Sequence, residues 1–498
     1  MCWDKNEIEA PFTREEIESA LSGMKEGTAP GASGVTTTMW KRMGEFGIQA
    51  LTKEINDIWV NGKKVPTQWK QLRMRLLHKG GEIEDIGNYR PIALAEVAGK
   101  VMSNTILNRI EKDFEQKGAY AAAQAGWRRG RGTAFHLIPV TELLRRDKIR
   151  GNKLSWMFVD LVKAFDNVSM EAVEELLIQH GMSEKNAKTI IDLQNNTKVR
   201  ILTDEGTTDE FTAKRGTKQG DPLSPLIFAM VINPLLKHWE RKRNGTKLLG
   251  GKHVVFAYAD DMLIVTEDSS EIIACLRDLK QYDEWMGLQV SPKKSLIWSN
   301  EMEMEFIEGI KVSKDPKESY KYLGVWLNRD LDWRKQMEEK NMKIEKTASW
   351  AKSKQISWIQ KAYVLNAIVQ AIMAYTAMAF VPPRKWLENV ESKVLKSALT
   401  GITNRVKAEK EAIYRDRNNG GLGLIKTEEW VRSAAISAVI RYLNRMRIEN
   451  KAICREILSG PQMTKYQMQR AENRTITSVE VFNNAQYWGL HGIDRTEH

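Results

Sequence analysis

Two apolar runs, Val254-Val255-Phe256-Ala257-Tyr258 and Met262-Leu263-Ile264-Val265, flank Ala259-Asp260-Asp261. Short continuous apolar runs predict buried strands, and a two- or three-residue connection predicts a hairpin. Elsewhere the pattern alternates between helical and strand periods. Thr13 with Glu16 forms a capping box at the start of a helix that ends near Gly23. Residues 39–62, 97–117, 134–148, 170–180 and 271–286 read as helices, and an apolar helix runs up to Trp239. Residues 69–79 alternate basic and apolar side chains, which predicts a strand with one cationic face. Residues 198–202 and 210–214 read as a hairpin, 288–298 supply a strand, and 320–327 read as strand–Gly–strand. Beyond Trp333 the chain is helical and basic, and 426–458 form a last helical block before a polar tail after Gly460.

Composition places the chain among globular proteins of two or three domains: 498 residues, 42% hydrophobic and 28% charged. A formal net charge of +12 favours a polyanionic partner. Cys2, Cys275 and Cys454 are too dispersed for a disulfide framework or a CxxC zinc site, which fits an intracellular, reducing setting. No apolar signal segment precedes the first helix. Residues 362–381 lack charge and approach spanning length, but Asn366 and Gln370 share a helical face, so a buried packed helix is expected there.

The chemistry centres on three acids. A turn lets Asp260 and Asp261 lie near one end of their hairpin, where they repel unless a cation joins them. Mg²⁺ commonly takes one or two carboxylates plus phosphate; an ordinary acidic turn is the rival reading. Residues 153–159 deliver Asp160 at a strand end. Carboxylates from separate elements suit two ions roughly 3.5–4 Å apart, as in nucleotidyl transfer. Arg90, held extended before Pro91, and Lys79 suit a triphosphate; a structural salt bridge is the alternative for Arg90. The loop Gln124-Ala125-Gly126-Trp127-Arg128-Arg129-Gly130-Arg131 combines arginines with an aromatic, as phosphate contact plus base stacking requires.

Tyr258-Ala259-Asp260-Asp261, Phe158-Val159-Asp160-Leu161 with Ala164-Phe165-Asp166, Gln219-Gly220-Asp221-Pro222-Leu223-Ser224-Pro225 and Asn88-Tyr89-Arg90-Pro91-Ile92 resemble, in order, the motifs of reverse transcriptases. The likeness is to those of non-LTR (LINE-type) retrotransposons. It implies an α+β right-hand polymerase: fingers, a palm with an antiparallel sheet, a helical thumb and a helical C-terminal extension. The expected divisions are 1–65, 66–300, 301–405 and 406–498. It implies metal ligation by Asp160, Asp260, Asp261 and the Leu161 carbonyl, with two Mg²⁺ ions and Mn²⁺ as substitute. It puts Lys79, Arg90, Phe165, Gln219 and Lys294 at the nucleotide, with Phe165 excluding a ribose 2′-hydroxyl; a plain core phenylalanine is the alternative. It puts Gln124, Gly126, Arg131, Tyr322, Leu323 and Gly324 at primer or template. Ser291 stands where the family usually has Asn before its lysine, and Trp127 replaces a Phe.

The implied activity is RNA-directed DNA synthesis from a primer 3′-hydroxyl, with RNA template, DNA primer and dNTPs as partners and no membrane. No endonuclease motif is read in the chain, so strand nicking is expected from elsewhere. The rivals are a non-catalytic, maturase-like RNA-binding protein on the same fold and a domesticated cellular reverse transcriptase. An RNA-templated RNA polymerase is disfavoured by the aromatic Phe165.

Overall fold

The computed structural model describes residues 3–78, 80–213, 215–248, 251–398 and 413–449. Lys79 lies outside the described residues, as do Cys2, Cys454, the helical block past 449 and the polar tail.

The site is built on a sheet of six strands in the order Phe306–Ile307, Ile310–Ser313, Leu296–Trp298, Ser155–Val159, Asp261–Thr266, Val255–Tyr258. Every pairing is antiparallel except that of Leu296–Trp298 with Ile310–Ser313. Both faces are covered, which is why the strands read as continuous apolar runs. Met157, Val159, Met262, Ile264 and Ile297 join a core formed with helices Met170–Gln179, Leu223–Lys242 and Ser269–Met286. The alternate residues Trp156, Phe158, Leu263, Val265, Leu296 and Trp298 pack against helix Ala134–Ile149 and the hairpin of Tyr320–Tyr322 with Val325–Leu327. Phe158 stacks on Tyr320, ring centroids 4.3 Å apart, and meets Trp298 edge-on at 4.6 Å.

A second sheet joins strand Gln71–His78 to Tyr89–Ala95 on one side and, in parallel, to Thr197–Thr203 on the other. Arg73 and Arg75 are exposed while Leu72 is buried, so the cationic face is real. Arg73 borders a cleft of about 200 Å³ with Lys198, Arg200, Glu210 and Ala32. The loop bearing Ala32 is pinned by Glu96, whose carboxylate accepts from the Ser33 amide at 2.7 Å and its hydroxyl at 2.6 Å. The helix read over 39–62 is two, Thr37–Arg42 and Gly44–Trp59. They break at Gly44, whose φ of 65° no α-helix accommodates. The strand read over 288–298 is regular only from Leu296, because the preceding residues wrap the end of the Asp160 strand.

The C-terminal region is helical: Arg334–Ser353, Trp358–Ala377, Arg384–Ala398 and Thr427–Glu449. Asn366 and Gln370 face a partner. The Asn366 amide donates to Gly423 O at 2.7 Å and its oxygen accepts from Ile425 N at 3.1 Å, while Gln370 donates to Ile425 O at 3.2 Å. No helix among the described residues is long and apolar enough to cross a membrane. The basic run 335–361 is not one cationic face: Lys340 and Lys361 are buried, Lys340 donating to Met373 O at 3.3 Å.

Candidate active site

The register of the central sheet brings the acids together. Met262 stands opposite Val159, so Asp261 and Asp160 occupy the next rung, one at the start of its strand and one just past the end of the other. Strand alternation puts both on the Phe158–Leu263 side, the face that the Tyr320–Leu327 hairpin covers. Asp260 lies in the two-residue turn between Tyr258 and Asp261, beside Ala259 at φ 57°. The carboxylates feel one another. Burial and then the charges of Asp260 and Asp160 push Asp261 up to about 6. Burial first, and Asp160 among lesser causes, raises Asp260; burial raises Asp160. Two cations oppose this, Arg90 towards Asp260 and Lys294 towards Asp160.

The end of the Asp160 strand is fixed by the 289–295 segment. Ser291 N donates to Asp160 O at 2.8 Å, Val162 N to Gln289 O at 2.8 Å, and the Ser295 hydroxyl accepts from Asp160 N at 3.1 Å. The backbone of Ser291 makes the tie, so the absence of an Asn side chain there leaves Lys294 beside Asp160.

After Asp160 the chain turns into Ala164–Asn167. Phe165 is half-buried and stacks on Phe228 at 4.7 Å. Its carbonyl accepts from Thr217 N at 2.7 Å, and Asp166 accepts from the Gln219 side-chain amide at 2.9 Å. A Cβ on Gly216 would come within 2.5 Å of the Asp166 backbone, so only glycine permits this approach. Phe165 and Gln219 therefore share one wall. Arg90 is exposed on its strand and has no ion pair among the described residues, which speaks against a buried structural salt bridge.

Other expected positions lie elsewhere. Gln124 and Gly126, expected at the template, are buried beneath the Tyr258–Asp261 turn: the Gln124 carboxamide oxygen accepts from Ala259 N at 3.1 Å and Gly126 N at 2.8 Å. Trp127 is 57% exposed, but Arg128 is buried against Glu115 with its guanidinium 4.6 Å from the Tyr120 ring centroid, and Arg129 pairs with Glu111 at 2.8 Å. Arg131 lies over the Phe135 ring at 5.7 Å and donates to Ala122 O at 3.4 Å. Tyr322 and Leu323 point into the core, leaving Gly324 as the exposed residue of that turn.

His136 carries no sequence signal and yet joins the 123–126 segment to the Tyr320–Leu327 hairpin. Its Nε2 lies 3.1 Å from Ala123 O and its Nδ1 3.1 Å from Tyr322 Oη. A carbonyl only accepts, so Nε2 donates and Nδ1 accepts from the tyrosine. Burial holds this imidazole neutral, down to about 3. Tyr375 Oη donates to Leu323 O at 2.7 Å, tying the same turn to the C-terminal helices.

Among the described residues no group of three or more His, Cys, Asp or Glu side chains is arranged so that it could by itself hold a metal ion. The donor set nonetheless suits a hard divalent cation: three carboxylates from two elements, all raised by burial and Asp260 and Asp261 also by neighbouring carboxylates, only partly offset by Arg90 and Lys294.

Residues 77–327 match the family described as reverse transcriptase (RNA-dependent DNA polymerase). The chain is similar to the retrovirus-related Pol polyprotein from type-1 retrotransposable element R2 of Popillia japonica, 27% identical over 57% of this chain and 39% of that protein. It is similar to the transposon TX1 uncharacterized 149 kDa protein of Xenopus laevis, 23% identical over 88% of this chain and 34% of that one. It is also similar to the RNA-directed DNA polymerase from mobile element jockey of Drosophila funebris, 24% identical over 65% and 36%. The chain thus spans between a third and two fifths of the length of these relatives.

Proposed function

The chain belongs to the reverse transcriptase (RNA-dependent DNA polymerase) family, and on that premise we propose that it extends a primer 3′-hydroxyl with dNTPs on an RNA template, in target-primed copying of a non-LTR retrotransposon RNA. The observation that carries the reading is the rung shared by Asp160 and Asp261 next to Asp260: acids from two strands at one sheet end, each raised above the ordinary carboxylate range. In this reading the central sheet is the palm, the Gln71–His78 sheet with the helices before it the fingers, and the helices after Trp333 the thumb and its extension.

The family works with divalent ions. Asp160, Asp260, Asp261 and the Leu161 carbonyl would hold two Mg²⁺ ions, which supply activation of the primer hydroxyl and charge neutralisation at the triphosphate. The chain's own groups do the positioning. Arg90, exposed on its strand, grips the triphosphate; Phe165, stiffened by its stack on Phe228, closes the space a 2′-hydroxyl would need. Gln219, anchored by Asp166, lines the base side of the pocket, and Lys294 gives a proton to the departing pyrophosphate. The Tyr320–Leu327 hairpin carries the primer against the acids, with Gly324 and its backbone as the contact surface.

The test is primer extension on poly-A/oligo-T with Mg²⁺. Incorporation of dTTP and not UTP, abolished by Asp260→Asn, is the expected result. No extension, with tight salt-sensitive RNA binding retained, would replace this reading by the non-catalytic RNA-binding one.

A further inference from the structure

We propose that Gln124 is a positioning residue for the acid pair: its carboxamide oxygen clamps the backbone of Ala259 in the left-handed conformation that sets Asp260 and Asp261 towards Asp160. The inference rests on the polymerase reading for its consequence, and on geometry for its origin. Ala259 has φ 57°, which an alanine adopts only when its surroundings impose it. The surroundings are residues 123–126. Ala257 N donates to Ala123 O at 3.0 Å and Ala125 N to Ala257 O at 2.9 Å, docking the segment along the strand that leads into the turn. At its end Gln124 Oε1 receives both Ala259 N, at 3.1 Å, and Gly126 N, at 2.8 Å. A Cβ on Gly126 would stand 2.4 Å from Ala259 N, so the approach is as close as backbone allows.

The other end of the same side chain shows which atom the position needs. Gln124 is fully buried, yet its Nε2 has no hydrogen-bond partner among the described residues. A residue kept for packing would carry no orphaned amide, whereas one kept for its oxygen must bring the nitrogen along.

Gln124→Met keeps the volume and removes the acceptor. The expected result is a loss of at least tenfold in kcat with the KM for template–primer unchanged, and several-fold weaker Mn²⁺ binding to the protein alone, read by electron paramagnetic resonance. Adding Ala259→Gly, which reaches positive φ without steric cost, should restore Mn²⁺ affinity and part of kcat. If Gln124→Met does not fold, Gln124→Asn, which withdraws the oxygen by one methylene, replaces it with the same expectations. Wild-type kcat and Mn²⁺ affinity in the folded variant, or a double variant no better than the single, would overturn the inference. A wild-type chain that binds Mn²⁺ but extends no primer sinks the polymerase reading alone, and the Mn²⁺ titration still decides the role of Gln124.

Discussion

His136 and Asp261 are perturbed in opposite senses, and they load stability in opposite directions across the same pH range. His136 is depressed to about 3 by burial, so below its unfolded value of ~6.5 the unfolded chain takes up a proton that the folded chain refuses. Its contribution is complete above pH ~6.5 and is lost as pH falls towards 3. Asp261, raised to about 6, contributes below its unfolded value of ~3.9 and loses that contribution as pH rises through 6. Metal-free melting curves should therefore show a flattened pH response between about 4 and 6. In His136→Gln, which keeps a donor and an acceptor for Ala123 and Tyr322, the acid-side loss should shrink by up to one proton's slope, ~1.4 kcal/mol per pH unit. An unchanged slope would mean that the imidazole is not held neutral. The acids themselves were legible from type and spacing. His136 was not, since an isolated histidine among the apolar residues that open helix Ala134–Ile149 gives no sign of which elements will close over it.

Periodicity located most helices and strands, and its failures have local causes. The capping box at Thr13 forms as the spacing implies. The split at Gly44 depends on a backbone conformation that hydrophobic period does not register. The central strands show no alternation, because both faces are buried and both demand apolar side chains; which of Met157 and Phe158 faces which core is set only by the partners that arrive later. The same limit moved Gln124 and Tyr322. A motif gives the neighbourhood of a residue, but the direction of its side chain follows from the strand it lies beside. In the C-terminal helices, polar positions inside an apolar stretch were the useful sign. Asn366 bridges Gly423 and Ile425, and Asn366→Ala should leave both backbone groups unpaired. The cost should be about 1–3 kcal/mol locally, read as ~10–100-fold faster hydrogen exchange at the Ile425 amide. Unchanged exchange would show that the glycine-rich turn holds itself.

Four packed clusters hold the described residues together: one on each face of the central sheet, one among the C-terminal helices and a small one on the Gln71–His78 sheet. The basic run 335–361 divides between helices Arg334–Ser353 and Trp358–Ala377, and each of them buries one of its lysines, Lys340 and Lys361. That distribution was illegible beforehand because charge counting does not distinguish a solvated lysine from one folded inwards. The strand order has a further consequence, for synthesis. Ser155–Val159, which delivers Asp160, is flanked on one edge by Asp261–Thr266 and on the other by Leu296–Trp298. As the chain emerges from the ribosome, that strand has neither neighbour until residue 266 is made, and an open edge until residue 298 is made. An unpaired apolar edge is a site of misassembly, and pairing between distant segments is slow. Ribosome-arrested chains should gain protease resistance around Asp160 only once the exposed length passes residue 298. Protection in shorter nascent chains would mean that some transient partner, or a chaperone, covers the strand in the interval.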